Sequence, residues 1–299
     1  MLREELLAQI TEKPGIFAAL DQSGGSTPEA LRLYGITDQS YETEAEMFKL
    51  IHEMRLRIIM SPSFSGARVI AAILFEKTIE STINGKSLPT YLWQDRGVVP
   101  ILKVDRGRLP EHDGVELMKP IPELSAVLER AGREGIVGTK MRAVIKQPSR
   151  SGIASVVAQQ IEIASQIARS GLMPIIEPEI LINSPDRATS EAILYEELQV
   201  GLSKLPTGVK VILKLSIPAE SNLYSSFVGH PGVARILALS GGYSRREACQ
   251  RLQANPGMIA SFSRALVEGL QATMTETEFD EQLSAAIDES YVASTVKVR

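Results

Sequence analysis

The chain has 299 residues, 44% of them hydrophobic and 23% charged, the profile of an ordinary globular protein with enough apolar side chains to bury a large core. Thirty-two Lys plus Arg stand against 36 Asp plus Glu, a net charge of −4, so no global positive field draws it to nucleic acid or to an acidic membrane. The single cysteine, Cys249, excludes an internal disulfide and a CxxC metal knuckle, and the length fits either two domains or one α/β barrel.

The first segment, MLREELLAQITEKPG, mixes acids and bases and lacks the apolar stretch of a signal peptide. No apolar run approaches the roughly 18 residues that cross a bilayer, so a cytoplasmic protein without membrane contact is expected. Eight short apolar runs then follow, each starting just after a glycine: Gly15-IFAAL, Gly66-ARVIAAILF, Gly97-VVPILKV, Gly135-IVGTKM, Gly171-LMPIIEP, Gly208-VKVILKL, Gly232-VARILAL and Gly257-MIASF. Runs this rich in Val and Ile read as strands buried on both faces of a parallel sheet.

Between the runs lie segments with helical spacing, among them Thr43 to Arg57, Pro122 to Ala131, Ala154 to Ala168, Ser190 to Leu205 and Ser244 to Gln253. Strand then helix, repeated, means βαβ units, and a glycine before each strand fits the left-handed closure of the preceding helix. Eight such units point to a (β/α)8 TIM barrel. The competing open sheet would carry a Gly-rich phosphate turn, and neither Gly24-Gly25 nor Gly241-Gly242 matches one. With no linker-like tract, residues 1–299 are expected to form a single barrel domain with an N-terminal helix and a C-terminal helical tail.

Charges interrupt these runs at a regular place. Six residues past the leading glycine stand Asp21, Lys103, Glu177 and Lys214; even offsets share one face of a strand, and the position falls at the carboxyl end, where barrel active sites form. Glu179 shares a face with Glu177, and Pro178 between them suggests that regular pairing stops there. Lys140 and Arg142 sit at odd offsets from Gly135, so their direction waits on a bulge or register. Converging, Lys103, Lys140, Arg142, Lys214 and Arg264 would outnumber Asp21, Glu177 and Glu179 by two charges, a mouth suited to a polyanionic substrate and one that lowers lysine pKa values. A neutral lysine amine is the nucleophile that condenses with ketones to a Schiff base.

The seventh run ends in Leu239-Ser240-Gly241-Gly242 and the eighth in Ser261-Phe262-Ser263-Arg264, where barrels place a phosphate site from backbone N–H groups, a hydroxyl and a cation. The three histidines, His52, His112 and His230, have no spacing suited to one metal site, so neither a catalytic metal nor another cofactor is expected.

In unbroken order from about Gly15 to Leu266 the chain carries FAALDQSGGS, GVVPILKVDRG, TKMRAVIK, PIIEPEI, VILKLSIP, ALSGGYS and SFSRAL. It resembles class I fructose-1,6-bisphosphate aldolase, the metal-free Schiff-base type, in its compact bacterial form. The resemblance implies reversible cleavage of fructose 1,6-bisphosphate to dihydroxyacetone phosphate and glyceraldehyde 3-phosphate. It makes Lys214 the Schiff-base lysine, Glu177 the acid/base that dehydrates the carbinolamine, Glu179 and Lys140 the flanking residues, and Asp21 the group that handles the C4 hydroxyl proton. Ser240, Gly241 and Arg264 would hold the C1 phosphate, Ser23, Ser26 and Lys103 the other, with Arg142 also in the site.

The pattern departs from the vertebrate type at Gln22, where a glutamate is usual, at Leu215-Ser216 in place of Pro-Asn, and at Met141 in place of a tryptophan. Tyr291 lacks the context of the family's C-terminal tyrosine and receives no role. A Schiff-base barrel aldolase for a singly phosphorylated sugar is the nearest alternative, against which the two phosphate anchors argue; a sugar-phosphate-binding protein without turnover is the other. A homo-oligomer is compatible with the sequence, since exposed and interface helix faces share one pattern.

Overall fold

The structure, a computed structural model, describes residues 2–23 and 27–298. Each glycine-led run becomes a strand: β1 (Ile16–Leu20), β2 (Val69–Leu74), β3 (Val99–Lys103), β4 (Gly138–Ile145), β5 (Met173–Ile180), β6 (Val211–Ser216), β7 (Val233–Leu239) and β8 (Met258–Ala260). Neighbours pair in parallel from β1 round to β8. The ring closes where Ala19 N donates to Phe262 O at 3.0 Å.

Alternation along the strands makes two cores. Phe17, Ala71, Ile73, Val99, Ile101, Ile175, Ile212 and Leu237 point inward and fill the barrel, while Ala18, Leu20, Ala72, Leu102, Met141 and Leu213 face the helices. Those helices are α1 (Leu2–Glu12), α2 (Thr27–Leu33), α3 (Glu44–Met60), α4 (Glu76–Ile79), α5 (Leu88–Arg96), α6 (Leu124–Arg133), α7 (Arg150–Arg169), α8 (Arg187–Ser203), α9 (Arg245–Gln253), α10 (Arg264–Val267) and α11 (Glu276–Thr295). Thr43 caps α3 in a reciprocal box with Glu46, and Ser244 accepts from Glu247 N at α9, which satisfies orphan N–H groups at the predicted starts. Helix α7 starts earlier than the apolar spacing suggests because Ser149 caps a polar first turn.

Helix α1 lies across the amino ends of the strands. Its Leu6 and Ile10 join the inner core, Gln9 Nε2 donates to Ile70 O at 2.8 Å and to Gly97 O at 2.7 Å, and Arg235 on β7 donates to Thr11 O and Lys13 O. The far end of the chain is tied beneath the barrel too: Lys297 Nζ donates to Leu252 O, Met258 O and Ala293 O at 2.7–3.0 Å.

The glycines that lead the strands serve two purposes. Gly97 closes α5 with φ of 66°, a left-handed conformation that a side chain disfavours. Gly66 instead allows two chain segments to touch: its N–H donates to Arg96 O at 2.6 Å, and a Cβ there would collide with the Gly97 carbonyl. Gly66→Ala is therefore expected to destabilise the fold by about 1–3 kcal/mol through overpacking against backbone, read as a lowered midpoint in thermal unfolding.

Candidate active site

At the carboxyl ends of β1, β4, β5 and β6 four buried charges form a chain. Lys140 Nζ stands 2.6 Å from Asp21 Oδ2 and 2.7 Å from Glu177 Oε2, and Lys214 Nζ stands 3.0 Å from Glu177 Oε1. All four are at most 7% exposed. The odd offset of Lys140 is resolved at the entry to β4: Val137, the residue ahead of the strand, packs into the inner core, yet Lys140, three residues on, faces the same interior. The strict alternation is broken at that step, which turns Lys140 and Arg142 into the mouth.

Beside the chain, Arg142 Nε pairs with Glu179 Oε2. Strand β5 continues through Pro178, contrary to the sequence expectation, and stays in register with β4 as far as Ile145 opposite Ile180. Pairing with β6 does stop early, at Ile176 opposite Leu213, and Ser216 takes over there: its Oγ accepts from Ile180 N at 3.1 Å and donates to Ile180 O at 2.7 Å. Ser216 thus stitches β6 to β5 just past Lys214.

Burial raises the Asp21 carboxyl, but Lys140 and then Lys214 outweigh it and hold it well below the ordinary carboxylate range. Glu177 is likewise lowered, with Lys140, Lys214 and Arg142 overcoming burial. Lys140 moves the other way: burial lowers it, and Asp21, Glu177 and Asp105 raise it further than that. The expected lowering of lysine pKa values does not hold at Lys140, because cations there face carboxylates rather than one another.

Nor does the mouth carry a surplus of two positive charges. Lys103 Nζ contacts Asp105 Oδ1 at 2.7 Å, with both side chains buried, and Arg264 Nη1 contacts Glu29 Oε1 at 2.9 Å. Asp105 and Glu29 supply the missing carboxylates, so five cations meet five anions. Neither residue stands out by pattern in the sequence: Asp105 lies in the loop after β3 and Glu29 on α2.

The phosphate candidates gather in part. Ser240 is buried at the end of β7, and Gly241 and Gly242 follow in left-handed backbone, φ 63° and 117°. A Cβ on Gly242 would stand 3.6 Å from Arg264 Nη2, which puts that loop beside the guanidinium. Ser23 is half-buried just past β1, and Ser26 lies outside the described residues. Lys103 is separated from Ser23 by β2, although its field reaches Asp21. His112 is exposed in the loop after β3, His52 is half-buried on α3, and His230 Nδ1 accepts from Gly232 N. Tyr291 is half-buried on α11, which packs against α9, α10, β1 and β8.

Arg55 on α3 is a residue that sequence reasoning missed. It is 1% exposed, donates through Nη2 to Gln22 O and through Nη1 to Thr78 Oγ1 at 3.1 Å, and burial pulls it down to about 10 against the attraction of Asp21. A lone arginine in a helix gives no sequence signal of that kind. A groove of about 590 Å³ does open between α7 and α8, but outside the barrel and away from the converging charges.

Comparison with known proteins meets this geometry. A family model described as glycolytic, fructose-bisphosphate aldolase class-I, matches residues 8–205. The chain belongs to the class I fructose-bisphosphate aldolase family. The class 1 fructose-bisphosphate aldolase of Synechocystis sp. is 50% identical over 291 residues, 97% of each chain. A Plasmodium falciparum fructose-bisphosphate aldolase, solved in complex with TRAP and a small-molecule inhibitor, superposes with a TM-score of 0.76 over 100% of this chain and 96% of its own at 19% identity, a likeness of fold. The activity is the family's reversible aldol cleavage of fructose 1,6-bisphosphate to dihydroxyacetone phosphate and glyceraldehyde 3-phosphate through a lysine Schiff base. No helix among the described residues is long and apolar enough to cross a membrane.

The charge chain makes two predictions for this aldolase. Asp21 and Glu177 titrate lower when folded than their ordinary values of 3.8 and 4.5, so their ionisation stabilises the fold fully above those values and the contribution is lost as the pH falls below them. The thermal midpoint is expected to hold near neutrality and to fall below about pH 4. Lys140→Met strands the buried Asp21 carboxylate and leaves Glu177 to Lys214 alone, and should cost about 3–5 kcal/mol at neutral pH; denaturant titrations at lower pH should show the deficit shrinking as the stranded group takes up a proton.

Proposed function

We propose that Lys214 is the amine that forms the Schiff base and that the groups around it divide the proton transfers. The observation that carries this reading is the unequal treatment of two buried lysines. Lys140 lies between two carboxylates and is raised by them, which fixes it as an ammonium. The ion pair of Lys214 among the described residues is with Glu177, so one proton handed to that carboxylate leaves a nucleophile at 3.0 Å from its acid.

Attack of the Lys214 nitrogen on C2 gives a carbinolamine, and Glu177 returns the proton to the departing hydroxyl as water leaves. Asp21, kept ionised, accepts the C4 hydroxyl proton; the C3–C4 electron pair flows into the protonated imine as the aldehyde forms. Lys140 holds Asp21 and Glu177 at fixed separation, and Glu179 with Arg142 flanks them. Preorganised ion pairs of this kind need no rearrangement as charge moves.

The phosphates would be held at opposite ends, C1 by Ser240, Gly241 and Arg264, the other by Ser23, Ser26 and Lys103, with Arg142 also in the site. Support for exchange comes from the resting partners: a phosphate arriving at Arg264 takes the place of Glu29, and one arriving at Lys103 takes that of Asp105. Binding is then a swap of carboxylate for phosphate, and part of the attraction goes into breaking the existing pairs. The same reading takes residues 1–299 as one domain working in the cytoplasm on a small sugar bisphosphate, with no nucleic-acid partner.

Borohydride added with dihydroxyacetone phosphate should leave a covalent mass on Lys214, located by peptide mass spectrometry, and EDTA should not alter turnover. An adduct on Lys140, or activity lost to EDTA and restored by zinc, would overturn the assignment. Glu177→Gln is expected to lower kcat by about 10²–10⁴-fold, the span of a general acid or base. A higher kcat/KM for the bisphosphate than for fructose 1-phosphate would show both anchors in use.

A further inference from the structure

The barrel has one seam unlike the other seven. Strands β1 to β8 are joined in sequence by registered pairing, but from β8 back to β1 the described contacts are Ala19 N donating to Phe262 O at 3.0 Å and, one step outward, a side chain in place of backbone: Gln22 Nε2 donates to Ser263 Oγ at 2.9 Å. Strand β8 has three residues, which leaves little ladder to share.

Gln22 is gripped from its other side by Arg55. The guanidinium donates to Gln22 O and to Oγ1 of fully buried Thr78 on α4, and it lies 5.9 Å from the Phe75 ring centroid. One buried cation thus joins the end of β1 to the helix after β2, and Gln22 passes the connection on to the loop after β8. Its described acceptors are neutral oxygens, an arrangement that costs stability and calls for a return elsewhere. The two residues it bears on are neighbours in sequence of functional ones: Asp21 precedes Gln22, and Arg264 follows Ser263.

We propose that Arg55 and Gln22 are positioning residues for the aldol reaction, clamping the β8–β1 seam and so fixing Asp21 at the bond-breaking end relative to Arg264 at the phosphate end. The inference rests on the roles given above to Asp21 and Arg264. Neither residue touches the reacting atoms; each acts through its neighbour, where small displacements are expensive in rate.

Capture of dihydroxyacetone phosphate as an imine does not use Asp21, whereas carbon–carbon cleavage does, and this separates the clamp from general packing. Arg55→Lys keeps the charge and loses the two-armed fork. It should lower kcat for fructose 1,6-bisphosphate about tenfold with KM within about twofold, while borohydride trapping of dihydroxyacetone phosphate at Lys214 stays at the unmodified level. Thr78→Val, which removes one acceptor and keeps the volume, should shift kcat in the same sense by a smaller factor, and Gln22→Ala, which releases Ser263, should raise KM. Trapping that falls in parallel with cleavage in Arg55→Lys and Thr78→Val, or a lowered thermal midpoint with kcat and KM unchanged, would overturn the proposal. Absence of the Lys214 adduct in the unmodified protein would instead overturn the assignment beneath it.

Discussion

Lys140, held between Asp21 and Glu177, is the contact on which the rest of the mouth depends. A single ammonium buried at 2% exposure is tolerable only if carboxylates meet it, and two carboxylates on different strands are tolerable together only if a cation sits between them. The ion pair therefore does more than stabilise: it sets the spacing of β1, β4 and β5 at their carboxyl ends. Lys214 is then added to a carboxylate whose other oxygen already faces Lys140, so it meets one carboxylate where Lys140 meets two.

The same compensation runs outward. Arg142 goes with Glu179, Lys103 with Asp105, and Arg264 with Glu29. The resting mouth is a set of closed pairs, and the outer two are those a phosphate would enter. On the reading proposed above, a doubly phosphorylated sugar would open both pairs and a ligand with one phosphate only one.

The strands were legible because burial on both faces writes an uninterrupted apolar run, and glycine marked where each began. Asp21, Lys103, Glu177 and Lys214 were legible as charges in places that hydrocarbon should occupy. What the sequence could not carry was pairing. Asp105 stands two residues past Lys103 but in a loop outside the apolar runs, and Glu29 and Arg55 meet their partners across elements far apart in the chain, so the charges visible in the runs did not include the carboxylates that answer Lys103 and Arg264. The direction of Lys140 was hidden by the odd step after Val137, a backbone event with no side-chain signature. Pro178 misled in part, because a proline ends pairing on the side it faces and leaves the other intact.

Helix α1, with Leu6 and Ile10 set into the lower end of a barrel whose interior is filled by side chains, leaves the charged mouth as a shallow cup closed from below. Anything that enters past Arg264 and Lys103 must depart the way it came. On the reading proposed above, the fragment joined to Lys214 leaves after the other, through the same mouth.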